Sequence, residues 1–281
     1  MQDAFAYCAE LVRAADRDRF IASLFAPAEQ REALHALYAF NVEVTRVREV
    51  AREALPGEIR LQWWREVIEG ARAEEASANP VAAALLTVIA RHQLATATFG
   101  TFIEAHRFDL YDEPMAQLSD LGTYARHTSS ALIALAAQIL GGGSADAAAM
   151  AAGPVGTGSA IAGLLRAFPV HAARRQLYVP IALLDSHGVE AQDIFAGQSS
   201  SGLKAVFAEL RDLARQQLQI ARQHVSALPR ETLSAFLPVA LVRPSLDRLE
   251  RCEPFAPKEI SPWRRQWLIW RAARDPARIA G

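Results

Sequence analysis

Apolar residues recur along this chain at the three- and four-residue intervals of an α-helix, and nowhere as a run of alternating β-branched residues. Phe5, Cys8, Val12 and Ala15 form one apolar face, and Leu34, Leu37, Phe40, Val44 and Val47 form another. The prolines punctuate this pattern. Pro27 suits the first turn of the second run, where its missing N–H costs little, and Pro80 suits the opening of "VAAALLTVIARHQL". A turn is expected at Pro56–Gly57, with further helices near 99–110 and from Leu118 onward. The Ala-, Gly- and Ser-rich stretches "ARHTSSALIALAAQILGG" and "ADAAAMAAGPVGTGSAIAGLLRAF" leave little side-chain bulk and read as closely packed central helices, joined through Gly141–Gly143. Pro154 is expected to break or kink the second of these. Irregular backbone is expected over 169–180 and through "LDSHGVEAQDIFAGQSS", and helices again at 202–225, 230–249 and 262–274. The expectation is one all-α domain over residues 1–281, with 250–281 a candidate peripheral C-terminal helix.

With 281 residues, 51% of them hydrophobic, the chain is able to bury a large core. A net charge of -1 from 30 basic and 31 acidic residues supplies no general attraction for nucleic acid. Lys204 and Lys258 are the only lysines, so almost every cation is an arginine fork able to hold a carboxylate or a phosphate. Cys8 and Cys252 form neither a metal-binding spacing nor a disulfide framework. The acidic residues in "MQDAFAYCAELVRAADRDRF" are unlike a signal peptide, and no uncharged apolar stretch is expected to reach the ~18 residues of a spanning helix. A cytoplasmic protein follows, with attachment to the surface of a membrane left open.

Gly156, Gly158 and Gly163 lie in a helical context with the wrong spacing for a dinucleotide loop, and are read as helix-packing glycines. No histidine pair has a recognisable metal spacing. His106 and Asp109 are three apart and able to pair on one helical face, as are Glu104 and Arg107. Trp63 and Trp64 are expected to divide between the core and a neighbouring helix or arginine. Trp263, Trp267 and Trp270 make one aromatic stripe beside Arg264, Arg265, Arg271 and Arg274, a candidate contact for core, partner or membrane.

Five segments in order, "ALHALYAFNVEVTRVREVA", "IRLQWWREVI", "FIEAHRFDL", "YARHTSSAL" and "GTGSAIAGLLRAFPVHAARRQLYVP", resemble the squalene/phytoene synthase family over roughly residues 20–250. The resemblance implies an all-α isoprenoid synthase-like bundle with a central cavity. Active members condense isoprenoid diphosphates head to head, with aspartate-rich motifs on two helices holding Mg²⁺ against the diphosphates. At the positions matching the first motif this chain has Thr45, Arg46 and Glu49, of which only Glu49 is an acid. At those matching the second it has Ala167, Val170 and His171, while Arg174, Tyr178 and Pro180 still match the segment that follows.

The loss of five of six acids is similar to the family's non-catalytic branch, which includes the mitochondrial complex I assembly factor and bacterial relatives. That similarity implies an assembly or scaffolding protein with no catalytic residues and no cofactor, a protein partner in a respiratory complex, and a place in the cytoplasm or against the inner membrane. The alternative is an isoprenoid-diphosphate transferase or binding protein with an altered site, and Mg²⁺ belongs to that alternative alone. Its ligand contacts would be drawn from Glu43, Glu49, Arg46, Arg166, Arg174, Arg175 and Tyr178, with Arg48 beside them. Glu104, Asp109 and Asp112 are the further acids from which a rearranged carboxylate site could be assembled.

Overall fold

The computed structural model describes residues 2–51, 53–141 and 145–281. The amino-terminal half is built from α1 (Gln2–Ala15), α2 (Arg17–Ser23), α3 (Ala28–Thr45), α4 (Val47–Val50), α5 (Ala54–Ile68), α6 (Ala73–Ala78), α7 (Pro80–His92) and α8 (Thr96–Arg107). A 3-10 turn, Phe108–Leu110, follows. Then come α9 (Leu118–Ala125), a π-helical turn at Arg126–Ser130, and α10 (Ala131–Ile139). The remainder comprises α11 (Ala145–Ala173), α12 (Ile181–Ser186), α13 (Ala191–Phe195), α14 (Ser201–Ser226), α15 (Leu233–Phe236), α16 (Val242–Leu249) and α17 (Pro262–Arg274). No strand occurs among the described residues. One continuous hydrophobic cluster runs from Phe5 to Ala280.

Two helices organise the bundle. α3 is buried at every position from Ala33 to Val42, so its apolar pattern covers all faces instead of a stripe. It packs on α1 and α7. Across the bundle α11 packs most extensively on α14, and also against the π turn, α10 and α16. The small residues of α11 permit these approaches. A Cβ at Gly156 would stand 2.4 Å from the Ser130 Cα and 2.5 Å from its N, and one at Gly158 would stand 3.2 Å from the Ala214 carbonyl oxygen. Gly163 differs from the expected packing role: nothing lies within 4 Å of its would-be Cβ, and it lines an open cleft.

Several boundaries depart from the sequence expectation. Pro154 and Pro169 lie inside α11, which continues through both. A proline in a helix interior leaves the carbonyl four residues back without its donor. For Pro154 that residue is Met150, whose side chain is exposed, and for Pro169 it is Leu165, whose side chain is buried. The Gly153 carbonyl beside the proline accepts hydroxyl hydrogen bonds from Thr157 and Ser130, each 3.0 Å. Pro56 and Gly57 belong to the first turns of α5, and Gly57 is buried where a Cβ would meet Leu110 at 2.5 Å. The segment over 184–200 is not wholly irregular, because it contains the end of α12 and all of α13, and 230–249 divides into 3-10 and short α pieces. The glycine connection at Gly141–Gly143 lies, from Gly142 on, outside the described residues.

The expectation about membrane-spanning length also needs correction. Ala147–Ala173 is long and apolar enough to cross a membrane by length and composition, with a mean hydropathy of 1.4. Over half of its most apolar window is buried by the helices around it, as befits the central helix of a bundle.

Because backbone cannot move aside as a flexible side chain does, Gly156→Ala is expected to lower unfolding free energy by roughly 1–3 kcal/mol or more. Gly163→Ala, in open space within the same helix, is expected to raise it by about 0.5–1 kcal/mol. Urea unfolding followed by tryptophan fluorescence measures both.

Candidate functional site

The segment matching the first acid motif lies at the exposed end of α3. Thr45 donates its hydroxyl back to the Asn41 carbonyl at 2.8 Å, and Arg46 is exposed with no ion pair among the described residues. Glu43, one turn earlier, is held by Arg60 of α5. In α4, Arg48 pairs with Asp112 at 3.0 Å, and Glu49 lies 4.0 Å from Arg174 just beyond α11.

The second segment ends α11. Ala167 is half-buried, Val170 is exposed, and His171 packs its ring on Tyr178 with centroids 4.6 Å apart. Burial pushes His171 down to about 4, so a neutral imidazole stands at a position where the family carries an aspartate. The space beside it, walled by Leu121, Leu165, Phe168, Tyr178 and Leu210, is only about 10 Å³, room for a single water at most.

Asp109 is the hub of this region, a role the sequence did not disclose. Its carboxylate accepts from the Tyr178 hydroxyl at 2.7 Å and from the Tyr124 hydroxyl at 3.0 Å, and meets His106 Nδ1 at 2.6 Å. Its backbone carbonyl accepts from Gln176 Nε2 at 2.7 Å. Burial, then the nearby carboxylate, raises both tyrosine hydroxyls well above their ordinary value, so they remain donors. The pairing foreseen for His106 and Asp109 on one helical face is present, but inside the bundle. Glu104 meets Arg107 at 3.0 Å and Arg65 at 3.3 Å on the outside.

The five acids considered for a rearranged carboxylate site thus have separate partners: Glu43 with Arg60, Glu49 with Arg174, Glu104 with Arg65 and Arg107, Asp109 with the tyrosines, and Asp112 with Arg48. Among the described residues no three His, Cys, Asp or Glu side chains gather closely enough to hold a metal ion. Mg²⁺ needs carboxylates converging on one octahedral shell, and threonine, arginine, alanine, valine and a neutral histidine do not provide it. The residues present do not fit the ion.

The arginines proposed to replace metal do not converge either. Arg46 is exposed at the end of α3, Arg48 and Arg174 are paired as described, and the Arg175 guanidinium lies 4.6 Å over the ring of Phe195. Arg166 alone faces a sizeable space, a cleft of about 260 Å³ among α2, the π turn, α11, α16 and α17. Its walls are Ile133, Ala162, Val239 and Val242, with Ser129 and Ser159 beside Arg166. One side is closed by ion pairs. Asp16 caps α2 by accepting from the Arg19 amide at 3.2 Å and also holds the Arg19 guanidinium, while Arg265 of α17 forks onto Asp18 with its Nε 2.9 Å from the carboxylate. Arg166 makes no ion pair among the described residues, so this cleft has one cation in excess.

The tryptophans divide as foreseen near residue 63. Trp64 is fully buried against Phe40, and the Trp63 indole N–H donates to Glu75 of α6 at 2.8 Å. Trp263, Trp267 and Trp270 are on the surface instead of in the core.

The helix-only bundle, with two central helices ending in matched but acid-depleted segments, defines an isoprenoid synthase-type scaffold. The sequence profile of the squalene/phytoene synthase family matches residues 12–271, and the chain belongs to that family. Among curated relatives, it is 31% identical over 253 residues to NADH dehydrogenase (ubiquinone) complex I, assembly factor 6 of Rattus norvegicus, covering 89% of this chain and 75% of that protein. The protein of the same name from Homo sapiens is 30% identical over 249 residues, covering 88% and 74%. In fold, the chain is similar to a dehydrosqualene synthase, with a TM-score of 0.82 at 17% identity over 97% of this chain and 96% of that one. It is also similar to a squalene synthase from Alicyclobacillus acidocaldarius, with a TM-score of 0.71 at 22% identity over 97% and 94%.

Removing the Asp109 carboxylate would leave two buried hydroxyls and an imidazole without their acceptor. Asp109→Ala is expected to cost roughly 3–5 kcal/mol, measured by urea unfolding. His171 and His35 both have folded values of about 4 against an ordinary 6.5, His35 through burial against Ser23 and Phe20 and then the charge of Arg31. Between those limits the unfolded chain binds more protons, so stability is expected to fall as pH drops from 6.5 towards 4. Each histidine contributes at most about 1.4 kcal/mol per pH unit, and His171→Phe is expected to remove its share of the slope in a pH series of unfolding curves.

Proposed function

We propose that this protein is a non-catalytic member of its family, a scaffold that assists the assembly of a respiratory complex, complex I in particular. The observation that carries this reading is the pairing of Glu49 with Arg174. Where the family's active members carry acids at the ends of two helices, this chain keeps only Glu49, which lies 4.0 Å from Arg174, and His171 is held neutral by burial. The relatives named for complex I assembly support the choice of client, and their identity extends over most of the chain. The protein needs no cofactor under this reading. It works in the cytoplasm against the inner membrane, with a subunit or another assembly factor of the complex as its protein partner.

Deletion of the gene is expected to lower the amount of intact complex I on native gels and the membrane NADH:quinone activity, both restored by the wild-type chain. Purified protein given farnesyl or geranylgeranyl diphosphate with Mg²⁺ is expected to form no head-to-head product. Magnesium-dependent condensation would overturn the scaffold reading.

One observation favours a second reading, metal-free binding of an isoprenoid diphosphate. Arg166 is unpaired beside two serines in an apolar-walled cleft. Titration with a non-hydrolysable diphosphate should then show binding that is indifferent to Mg²⁺ and lost in Arg166→Ala. Absence of binding to the wild-type chain rejects this reading and leaves the scaffold role intact.

A further inference from the structure

We infer that the face formed by α17 and the end of α2 is a docking surface for a bilayer that contains anionic phospholipid. This rests on the reading that the protein works at a membrane, and adds the surface, the lipid charge and the orientation.

The argument starts from the helical period. At 100° per residue, positions 263, 267 and 270 fall within about 60° of one another. Ile269 and Ala272, both fully buried, lie on the other side of α17, as does Arg265 with its ion pair to Asp18. The helix is therefore anchored to the bundle through one face and holds its tryptophans on the opposite one. Their exposures are 71% for Trp263, 42% for Trp267 and 43% for Trp270. At the end of α2, Leu24 and Phe25 are exposed by 47% and 43%. A groove of about 570 Å³ connects the two elements, lined by Arg13, Arg17, Leu24, Phe25, Gln266 and Trp270. Trp270, Leu24 and Phe25 thus share the groove, Trp263 and Trp267 continue the same side of α17, and all five are substantially exposed.

Charge selects the occupant. The thirteen residues of α17 include four arginines and no acid. Arg265 is engaged with Asp18, whereas Arg264, Arg271, Arg274 and Arg17 make no ion pair among the described residues. The guanidinium of Arg274 lies 4.1 Å over the ring of Trp270, and that of Arg271 5.0 Å over Trp267, so cation and indole occupy one level. Indoles settle at the boundary between headgroup and acyl chain, and guanidinium groups beside them meet lipid phosphates. An apolar protein partner would require the four free cations to be desolvated or matched, while an anionic leaflet matches them as a surface. In this orientation α17 lies flat on the bilayer and the bundle stands above it.

The test uses the full-length protein with large unilamellar vesicles of phosphatidylcholine alone or with one quarter phosphatidylglycerol. We expect co-sedimentation and a blue-shifted tryptophan emission with the anionic vesicles, weakened by 0.5 M salt. Each arginine near an anionic surface contributes about fivefold in partitioning, so Arg264→Gln/Arg271→Gln/Arg274→Gln should weaken binding about a hundredfold. Trp263→Ala/Trp267→Ala/Trp270→Ala should abolish the blue shift. Circular dichroism and the unfolding midpoint are expected to stay near wild type, because these indoles are outside the core. Failure to bind the anionic vesicles, equal binding to neutral ones, or unchanged binding by the tryptophan variant would overturn the inference. So would a dimer that the tryptophan variant dissolves, since the face would then be occupied by a second copy. None of these results bears on complex I levels in the deletion strain, so the docking surface and the assembly role are judged separately.

Discussion

The bundle depends on how closely α11 lies against the π turn between α9 and α10. The absence of a side chain at Gly156 allows Ser130 to occupy the position its Cβ would take. From this approach follow the hydroxyl bridge to the Gly153 carbonyl, the tolerance of Pro154, and the placement of the far end of α11 beside Asp109 and Tyr178. Dense interiors transmit a local change of this kind, because neighbours have no free volume to absorb it. The same helix carries Gly163 and Arg166 to the cleft wall, so packing at one turn sets what is presented two and three turns later.

Electrostatics then distinguish the ends of α3 and α11 from a metal-bridged pair of acid clusters. Two facing clusters of carboxylates repel unless cations bridge them. In this chain the repulsion has been removed at its source. Thr45, Ala167 and Val170 carry no charge, His171 is held neutral by burial, and the remaining acid, Glu49, meets a cation. The partly buried carboxylate nearby, Asp109, accepts from the Tyr124 and Tyr178 hydroxyls, and aromatic rings pack around it.

Helical periodicity made the fold class legible, since apolar spacing of three and four leaves few architectures open. The losses at both acid motifs were equally legible, because they are matters of residue identity. What remained hidden depended on separations in space. Nothing in "FIEAHRFDL" marks Asp109 as the acceptor for Tyr178, 69 residues away. The "DRDR" segment gave no sign that Asp16 would cap a helix while Asp18 would meet Arg265. Proline read as a breaker failed inside α11, which continues through Pro154 and Pro169, because the tertiary packing around that helix is not contained in the one-dimensional pattern. The tryptophan stripe was visible as a stripe, yet only the burial of Ile269 and Ala272 decides which way it points.

The fork between Arg265 and Asp18 joins positions 247 residues apart. During synthesis α2 leaves the ribosome long before α17 exists, so the side of the cleft that α17 closes stays open until that helix emerges. Closure of the cleft is therefore timed by α17, and a chain cut short before residue 262 would expose its cleft for as long as it survived.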